Sequence, residues 1–134
     1  MARALTAYLN RNNVPERKPL QQAIDALKIP LTLDDGYAPF ETSDYLPCTL
    51  DGEDAGFDLR FKDVAADVSS ALNLGDRDAA LSLKWGGDPR EEAAAHVFCA
   101  ALAKNFDALI QTGDANALLS VEQLLSKAKN ALAE

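Results

Sequence analysis

Histidine, tryptophan and cysteine are scarce in this sequence, which contains one histidine (His96), one tryptophan (Trp85) and two cysteines (Cys48 and Cys99). One histidine and two cysteines do not supply a zinc-ligand set of the usual spacing. Cysteines so far apart predict reduced thiols rather than a disulfide framework. A Cys–His arrangement would need His96 and Cys99, but both lie in an apolar segment, where a thiol is usually inert packing. We therefore expect no catalytic residue, no metal and no cofactor.

Long apolar runs are also missing. The longest extends over seven residues from Val97 to Ala103, whereas a membrane-spanning helix needs about 20. No apolar segment typical of a secretory signal precedes Asn10. A chain of 134 residues, 48% of them hydrophobic, has the size and composition of one globular domain. These features predict a single domain over residues 1–134, no membrane partner and a cytoplasmic location.

Basic residues are absent from residues 29–59, which we call the acidic tract because it contains eight Asp and Glu residues. Residues 1–28 instead contain five Lys or Arg, and the whole chain has a formal net charge of −8. Such a chain would be repelled by phosphate groups, so we exclude nucleic acid as the main partner. Charge asymmetry of this kind bears on association. It predicts a basic protein partner.

The acidic tract also places tyrosines among its carboxylates. Tyrosine is enriched in protein interfaces, and complementary charge accelerates encounter with an opposite partner. Residues 31–50 predict a loop with one short edge strand, and irregular stretches of this length are often functional. A solvated face without a partner would carry the same charges, and the sequence leaves that alternative open. The predicted partner-binding residues are Asp34, Asp35, Tyr37, Glu41, Asp44, Tyr45, Asp51, Glu53, Asp54 and Asp58.

The first 28 residues predict two short helices. Leu5, Tyr8 and Leu9 lie on one side of a helix over Ala4–Asn10, which ends at the Asn-Asn-Val-Pro segment because proline lacks a backbone N–H. Apolar residues at i, i+4 and i+7 predict a second helix over Lys18–Leu27. We expect the two to form an N-terminal helical hairpin.

Alternating apolar and polar residues predict strands over Gly56–Phe61 and Ala79–Trp85. The glycine-containing connection Asp51–Ala55 predicts that Pro47–Leu50 and Gly56–Phe61 form a hairpin. Val64–Leu74 fits either a helix or a strand, and both remain open.

The segment from Trp85 to Glu91 predicts the end of a strand and the start of a helix. Asp88 is the expected N-cap, Pro89 the first helical residue, and Glu91 the second half of a capping box. His96 is the one polar residue between positions 93 and 103, so we expect this helix to be covered on nearly all sides.

The C-terminal part predicts a strand over Phe106–Gln111, a turn over Gly113–Asn116 and a last helix with Ser120 and Gln123 in a capping box. The predicted fold class is α+β. It comprises a small antiparallel sheet with helices mostly on one face, an N-terminal helical hairpin and a C-terminal helix.

Two segments resemble ligand-binding loops without completing them. Asp51–Lys62 begins like a calcium loop but lacks acids at positions 5 and 12. Gly86–Gly87 precede a helix N-terminus, which can bind phosphate, but Asp88 and Glu91 would repel an anion there. Both are interpreted as structural turns.

The segment Leu81–Asp88 reads Leu-Ser-Leu-Lys-Trp-Gly-Gly-Asp and precedes an alanine-rich helix and a strand-turn-helix segment. With this pattern, over residues 57–125, the chain resembles a group of small bacterial cytosolic proteins in which an apolar strand ends in a Trp-Gly-Gly-Asp-like turn. Several of those are encoded as suspected immunity proteins beside secreted antibacterial toxins. The resemblance implies a non-enzymatic inhibitor that binds a cognate toxin, and it implies no particular site residues.

The leading hypothesis is an immunity-type protein whose acidic loops occlude the active site or substrate surface of a basic toxin domain. One alternative is a small cytosolic enzyme or ligand-binding domain with a pocket between sheet and helices. Another is an adaptor whose partner is neither toxin nor nucleic acid. The sequence names neither the toxin nor an oligomeric state.

Overall fold

The structure is a computed structural model that describes residues 4–41, 44–112 and 118–132. In these ranges the chain forms an α+β fold with a six-stranded sheet, a three-stranded sheet and four α-helices. In chain order the elements are β1 (Ala4–Leu9), α1 (Arg17–Ala26), β2 (Leu31–Leu33), β3 (Asp44–Leu46), β4 (Cys48–Leu50), β5 (Glu53–Asp54), β6 (Phe57–Asp63), α2 (Ala66–Leu72), β7 (Ala79–Lys84), α3 (Pro89–Asn105), β8 (Leu109–Thr112), β9 (Leu118–Leu119) and α4 (Val121–Leu132).

The strand β1 occupies the segment for which the sequence predicts a helix over Ala4–Asn10, so the prediction of an N-terminal helical hairpin is wrong. Leu5, Ala7 and Leu9 are buried on one face of β1, and Tyr8 is buried on the other. An isolated helix of this length is marginal in water. As a strand, the segment pairs antiparallel with β7 on one side and β8 on the other, which gives its backbone groups partners. The second predicted helix is confirmed as α1.

The six-stranded sheet has the order β3-β6-β7-β1-β8-β9, with antiparallel neighbours throughout. β6 and β7 confirm the two predicted strands. Leu59, Leu83 and Leu5 are neighbours across β6, β7 and β1 and lie in the main hydrophobic core with α3. α2 covers part of the opposite face, where Leu74 and Ala80 form a second, smaller cluster. Val64–Leu74, for which the sequence leaves a helix and a strand open, therefore contains the helix α2.

The predicted hairpin has its turn in Asp51–Ala55 but a different second strand. β4 pairs with β5 directly after a turn at Asp51 and Gly52, whose φ angles of 54° and 81° lie in the left-handed region that a type I′ turn requires. β4 also pairs with β2, whereas β6 pairs with β3 and β7. The predicted pairing of Pro47–Leu50 with Gly56–Phe61 is wrong, because the two-residue turn pairs β4 with the residues nearest to it.

The central helix is α3, whose ten residues from Ala93 to Leu102 are all buried, as predicted. It packs on the six-stranded sheet, on α1 and on α4, which explains why this stretch has no polar side. Asp88 caps the helix, since its Oδ1 accepts a hydrogen bond from the Arg90 backbone N–H at 2.9 Å. The expected capping box differs, because the Glu91 carboxylate reaches past Asp88 and accepts from the Gly86 N–H at 2.9 Å.

The C-terminal elements follow the prediction closely. The Ser120 hydroxyl accepts from the Gln123 N–H at 3.1 Å, and the Gln123 side chain accepts from the Ser120 N–H at 2.8 Å, which confirms that capping box. The predicted strand is β8, which starts at Leu109 because Phe106 still closes the C-terminus of α3. The predicted turn over Gly113–Asn116 lies outside the described residues.

Side chains fill the space between the six-stranded sheet and α3. Leu59, Leu81 and Leu83 of the sheet and Phe98 of α3 are fully buried there. The Phe57 and Phe98 rings meet edge to face, with centroids 5.4 Å apart. This layer is packed as a core.

Candidate binding surface

The eight carboxylates of the acidic tract are spread over the loops and strands that flank β4. We name three places by their residues: the small-sheet patch (Asp34, Asp35, Asp54), the hairpin tip (Asp51, Glu53) and the sheet-edge patch (Asp44, Tyr45, Asp58). The remaining acid, Glu41, is exposed just before residues 42–43, which lie outside the described ranges.

The small-sheet patch is built on the outer face of β2, β4 and β5. Thr32, Thr49 and Asp54 are neighbours across these three strands and share one face because side chains alternate along a strand. Together with Asp34 and Asp35 they line an open cavity of about 300 Å³. The patch therefore presents hydroxyls and carboxylates side by side.

Two side chains of α1 hold β2 in place. The Gln21 side chain accepts from the Leu33 N–H and donates to the Leu31 carbonyl, both at 2.8 Å, as a neighbouring strand would. The Arg17 guanidinium donates to the Leu33 carbonyl at 2.8 Å and lies 3.5 Å from the Asp35 carboxylate. These contacts position the carboxylates that follow β2.

The hairpin tip carries Asp51 within the turn and Glu53 directly after it. The Glu53 carboxylate lies 4.0 Å from the Arg90 guanidinium on α3. Both side chains are largely exposed, and ion pairs of this kind contribute little to stability. Asp51, Glu53 and Arg90 also line a cavity of about 390 Å³ together with Leu132.

In the sheet-edge patch, Tyr45 of β3 lies opposite Asp58 of β6, and 54% of the tyrosine surface is exposed. Arg60 lies 3.0 Å from the Asp58 carboxylate and 3.8 Å from that of Asp44. The Tyr45 hydroxyl rests against Gly56, where a Cβ would overlap with it. The absence of a side chain at Gly56 therefore lets the tyrosine reach this position.

Tyr45 connects the small-sheet patch, the hairpin tip and the sheet-edge patch. We call the combined surface the acidic surface. Burial, and after it the negative charges of Glu91 and Asp54, raise the pKa of Tyr45. The Tyr45 hydroxyl lies against Gly56, two residues after Asp54 of the small-sheet patch, and Tyr45 lines one cavity with Glu91 in the first turn of α3. Arg90 in that turn contacts the hairpin tip through Glu53.

Arginines from outside the acidic tract reach this surface, which the sequence does not reveal. Arg17, Arg60 and Arg90 each pair with at least one of its carboxylates. Among the residues that the structure describes, no Lys or Arg forms an ion pair with Asp34, Asp51 or Asp54. Three guanidinium groups therefore offset part of the seven negative charges of this surface, and it stays acidic.

Tyr37, a predicted binding residue, lies in the core with 4% of its surface exposed. Its hydroxyl donates to the Pro15 carbonyl at 3.0 Å, and its ring meets that of Phe98 edge to face at 6.1 Å. Burial raises the pKa of Tyr37, so the phenol stays protonated. Because the loop after β2 folds over the core, Tyr37 is not part of the acidic surface.

His96, Cys48 and Cys99 are buried, and both thiols are free. His96 Nδ1 lies 2.7 Å from the Glu92 carbonyl oxygen, and burial is the main cause that lowers the pKa of His96. Burial raises the pKa of Cys48 to about 12 and also raises that of Cys99. A neutral imidazole and protonated thiols fit packing roles.

A groove beside Tyr45 is not among the features predicted from the sequence. This cavity of about 370 Å³, which we call the Trp85 groove, is lined by Tyr45, Gly56, Phe57, Asp58, Lys84, Trp85, Gly86 and Glu91. The Trp85 ring meets that of His96 edge to face at 5.4 Å. Its Nε1 is buried and has no hydrogen-bond partner among the described residues. The sequence pattern that could have indicated this groove is the single tryptophan followed by two glycines. The end of a strand explains that pattern only in part.

Within the described ranges, no group of three or more His, Cys, Asp or Glu side chains is arranged to hold a metal ion. No helix in those ranges has the length and apolar character needed to cross a membrane. Comparison with known proteins finds no matching family model, no matching curated protein and no matching solved structure. The acidic surface is therefore the feature of this chain that bears on its function.

Proposed function

We propose that this chain is an immunity-type protein that neutralises a basic antibacterial toxin domain in the cytoplasm. The acidic surface carries the proposal, because it gathers seven carboxylates against three guanidinium groups on loops and strand edges. Such a surface accelerates association with a partner of opposite charge. The resemblance of Leu81–Asp88 to the turn of immunity-type proteins supports the same function.

Inhibition is steric and electrostatic in this proposal. A toxin that acts on an anionic substrate, such as a nucleic acid or a nucleotide, presents a basic surface to that substrate. Carboxylates of the acidic surface take the places of the substrate's phosphates, and the body of the chain blocks access. No residue of this chain needs to take part in a reaction.

An enzyme or ligand-binding domain with a pocket between sheet and helices is the alternative. The side chains that the structure describes fill the layer between sheet and helices, whereas the cavities at the acidic surface lie outside this layer. This packing favours the binding protein. Turnover of a small substrate by the purified chain would support the enzyme instead, and an adaptor would bind a basic protein without inhibiting it.

The test pairs the chain with the product of the neighbouring open reading frame, by co-expression, co-purification and binding kinetics. The variant Asp35→Lys, Glu53→Lys, Asp54→Lys raises the net charge from −8 to −2. It spares Asp51, whose φ of 54° disfavours lysine. We expect slower association, faster dissociation and loss of protection from toxicity. Association of the unmodified chain should weaken as salt rises.

A matched control reverses three exposed acids elsewhere: Asp67→Lys on α2, Asp76→Lys before β7 and Glu122→Lys on α4. It has the same net charge as the test variant and should bind like the unmodified chain. Equal weakening by both variants would assign the effect to net charge alone. If neither variant changes binding, the interface lies elsewhere and the proposal is wrong.

A further inference from the structure

The Trp85 groove lies where the exposed face of the six-stranded sheet meets the N-terminus of α3. Tyr45, Asp58 and Lys84 are neighbours across β3, β6 and β7, so they form one row on that face. Trp85 follows the row, and Glu91, hydrogen-bonded to the Gly86 N–H, closes its end. The cavity of about 370 Å³ opens beside the exposed ring of Tyr45.

The groove combines aromatic walls with carboxylates. Tyr45 and Trp85 offer ring surfaces of the kind on which a guanidinium group stacks. Trp85 is held from behind by the edge-to-face contact with His96, so its ring is kept in place. Buried tryptophan, tyrosine and arginine residues also dominate the binding energy of protein interfaces.

The unpaired carboxylate of the groove favours a cation. Asp58 and Glu91 line the groove together with Lys84, and Glu91 forms no ion pair with a described residue. Glu91 uses Oε1 for the Gly86 N–H, and a carboxylate can accept several further hydrogen bonds. Asp58 is already paired with the guanidinium of Arg60 at 3.0 Å, so Glu91 is the carboxylate left to receive an incoming cation. Arginine fits better than lysine because its planar guanidinium both stacks on a ring and donates to carboxylates.

We propose that the Trp85 groove is the anchor point of the acidic surface and that it binds an arginine side chain of the basic partner. The guanidinium stacks on an aromatic ring of the groove, and the Glu91 carboxylate accepts its hydrogen bonds. This inference rests on the proposed function, because a basic partner supplies the arginine.

Trp85 is the only tryptophan of the chain, so its fluorescence reports directly on the groove. The probe is an arginine–glycine repeat peptide, titrated into the intact chain at low salt. We expect a saturable change in Trp85 emission. A peptide with citrulline in place of arginine has nearly the same shape without the charge, and should cause little change.

Three substitutions test the charges of the groove: one removes a negative charge, one removes a positive charge, and one is a control outside the groove. Glu91→Gln keeps an oxygen for the Gly86 N–H but removes the charge, and should weaken peptide binding about twofold to fivefold. Lys84→Gln removes the opposing charge and should strengthen binding by a similar factor. Glu92→Gln, one residue further along α3 and outside the groove lining, should bind like the unmodified chain. A role of Glu91 in stability alone would not produce the gain at Lys84.

Calorimetry with the same peptide separates this inference from the proposed function. Calorimetry could show peptide binding that is lost in the Asp35, Glu53, Asp54 reversal, while Trp85 emission does not change when the peptide binds. That result would contradict the proposal for the Trp85 groove and leave the proposal for the acidic surface intact. Equal emission changes with the arginine and citrulline peptides would also overturn the groove. If the peptide does not bind at low salt, or binds with an affinity that does not fall as salt is added, the result would count against both the groove proposal and the proposed function.

Discussion

At the scale of single residues, Gln21 replaces a neighbouring strand at the free edge of β2. The Gln21→Ala substitution leaves the Leu33 N–H and the Leu31 carbonyl without this partner, and unmade hydrogen bonds of partly buried groups cost about 1–3 kcal/mol. We expect the free energy of unfolding to fall by this amount in urea denaturation. Gln22→Ala, at an exposed position of the same helix, should change it by less than about 0.5 kcal/mol. Equal effects would mean that helix propensity, not the edge contact, is responsible.

His96 makes the stability depend on pH. Burial is the largest cause that lowers its pKa from the ordinary value of 6.5, with Lys127 acting the same way and the contact with Glu92 opposing. The unfolded chain therefore binds a proton more readily than the folded chain just below pH 6.5. The stabilisation is complete above that pH, and the free energy of unfolding should decrease as the pH falls through this window.

The measurement is urea denaturation between about pH 5 and 7, above the range in which most carboxylates titrate. The free energy of unfolding of the His96→Gln variant should depend less steeply on pH, whatever its value at pH 7. An unchanged slope in this variant would assign the pH dependence to other groups.

At the scale of elements, β1 is a central strand, and proline in a central strand removes a ladder hydrogen bond. Thr6→Pro should therefore destabilise the chain by about 3 kcal/mol or more. In the helix that the sequence predicts, position 6 would fall in the first turn, where proline is tolerated. Thr6→Val keeps the β-branched side chain and the backbone N–H but loses the hydrogen bond with Tyr8, so it should cost only about 0.5–1.5 kcal/mol in the same thermal and urea unfolding measurements. Tolerance of proline at this position would contradict a central strand.

At the scale of the whole molecule, the acids are solvated charges and not part of the core. The carboxylates of Asp35 and Glu53 are largely exposed, and ion pairs at the surface contribute about 0–1 kcal/mol each. The Asp35, Glu53, Asp54 reversal should therefore unfold in urea within about 1 kcal/mol of the unmodified chain. A much larger loss would show that these residues support the fold, and their effect on binding would then need a milder substitution to neutral amides.

Several elements could be predicted because their signals are local. The alternation in β6 and β7 specifies a buried and an exposed face within a few residues. Asp88 caps α3 through a hydrogen bond to Arg90, two residues away. The acidity of the candidate surface likewise follows from counting residues 29–59.

Other features depended on residues far apart in the chain. Leu5, Tyr8 and Leu9 fit both a helix and a strand, and the pairing with β7 and β8 decided between them, because paired strands satisfy the backbone where a short helix is marginal. Tyr37 became a core residue when its loop closed over Phe98. Arg17 and Arg90 reached the acidic tract only by folding, and so did the contact of Arg60 with Asp44. Residue composition specified the charge of the surface, and long-range packing set its shape and its ion pairs.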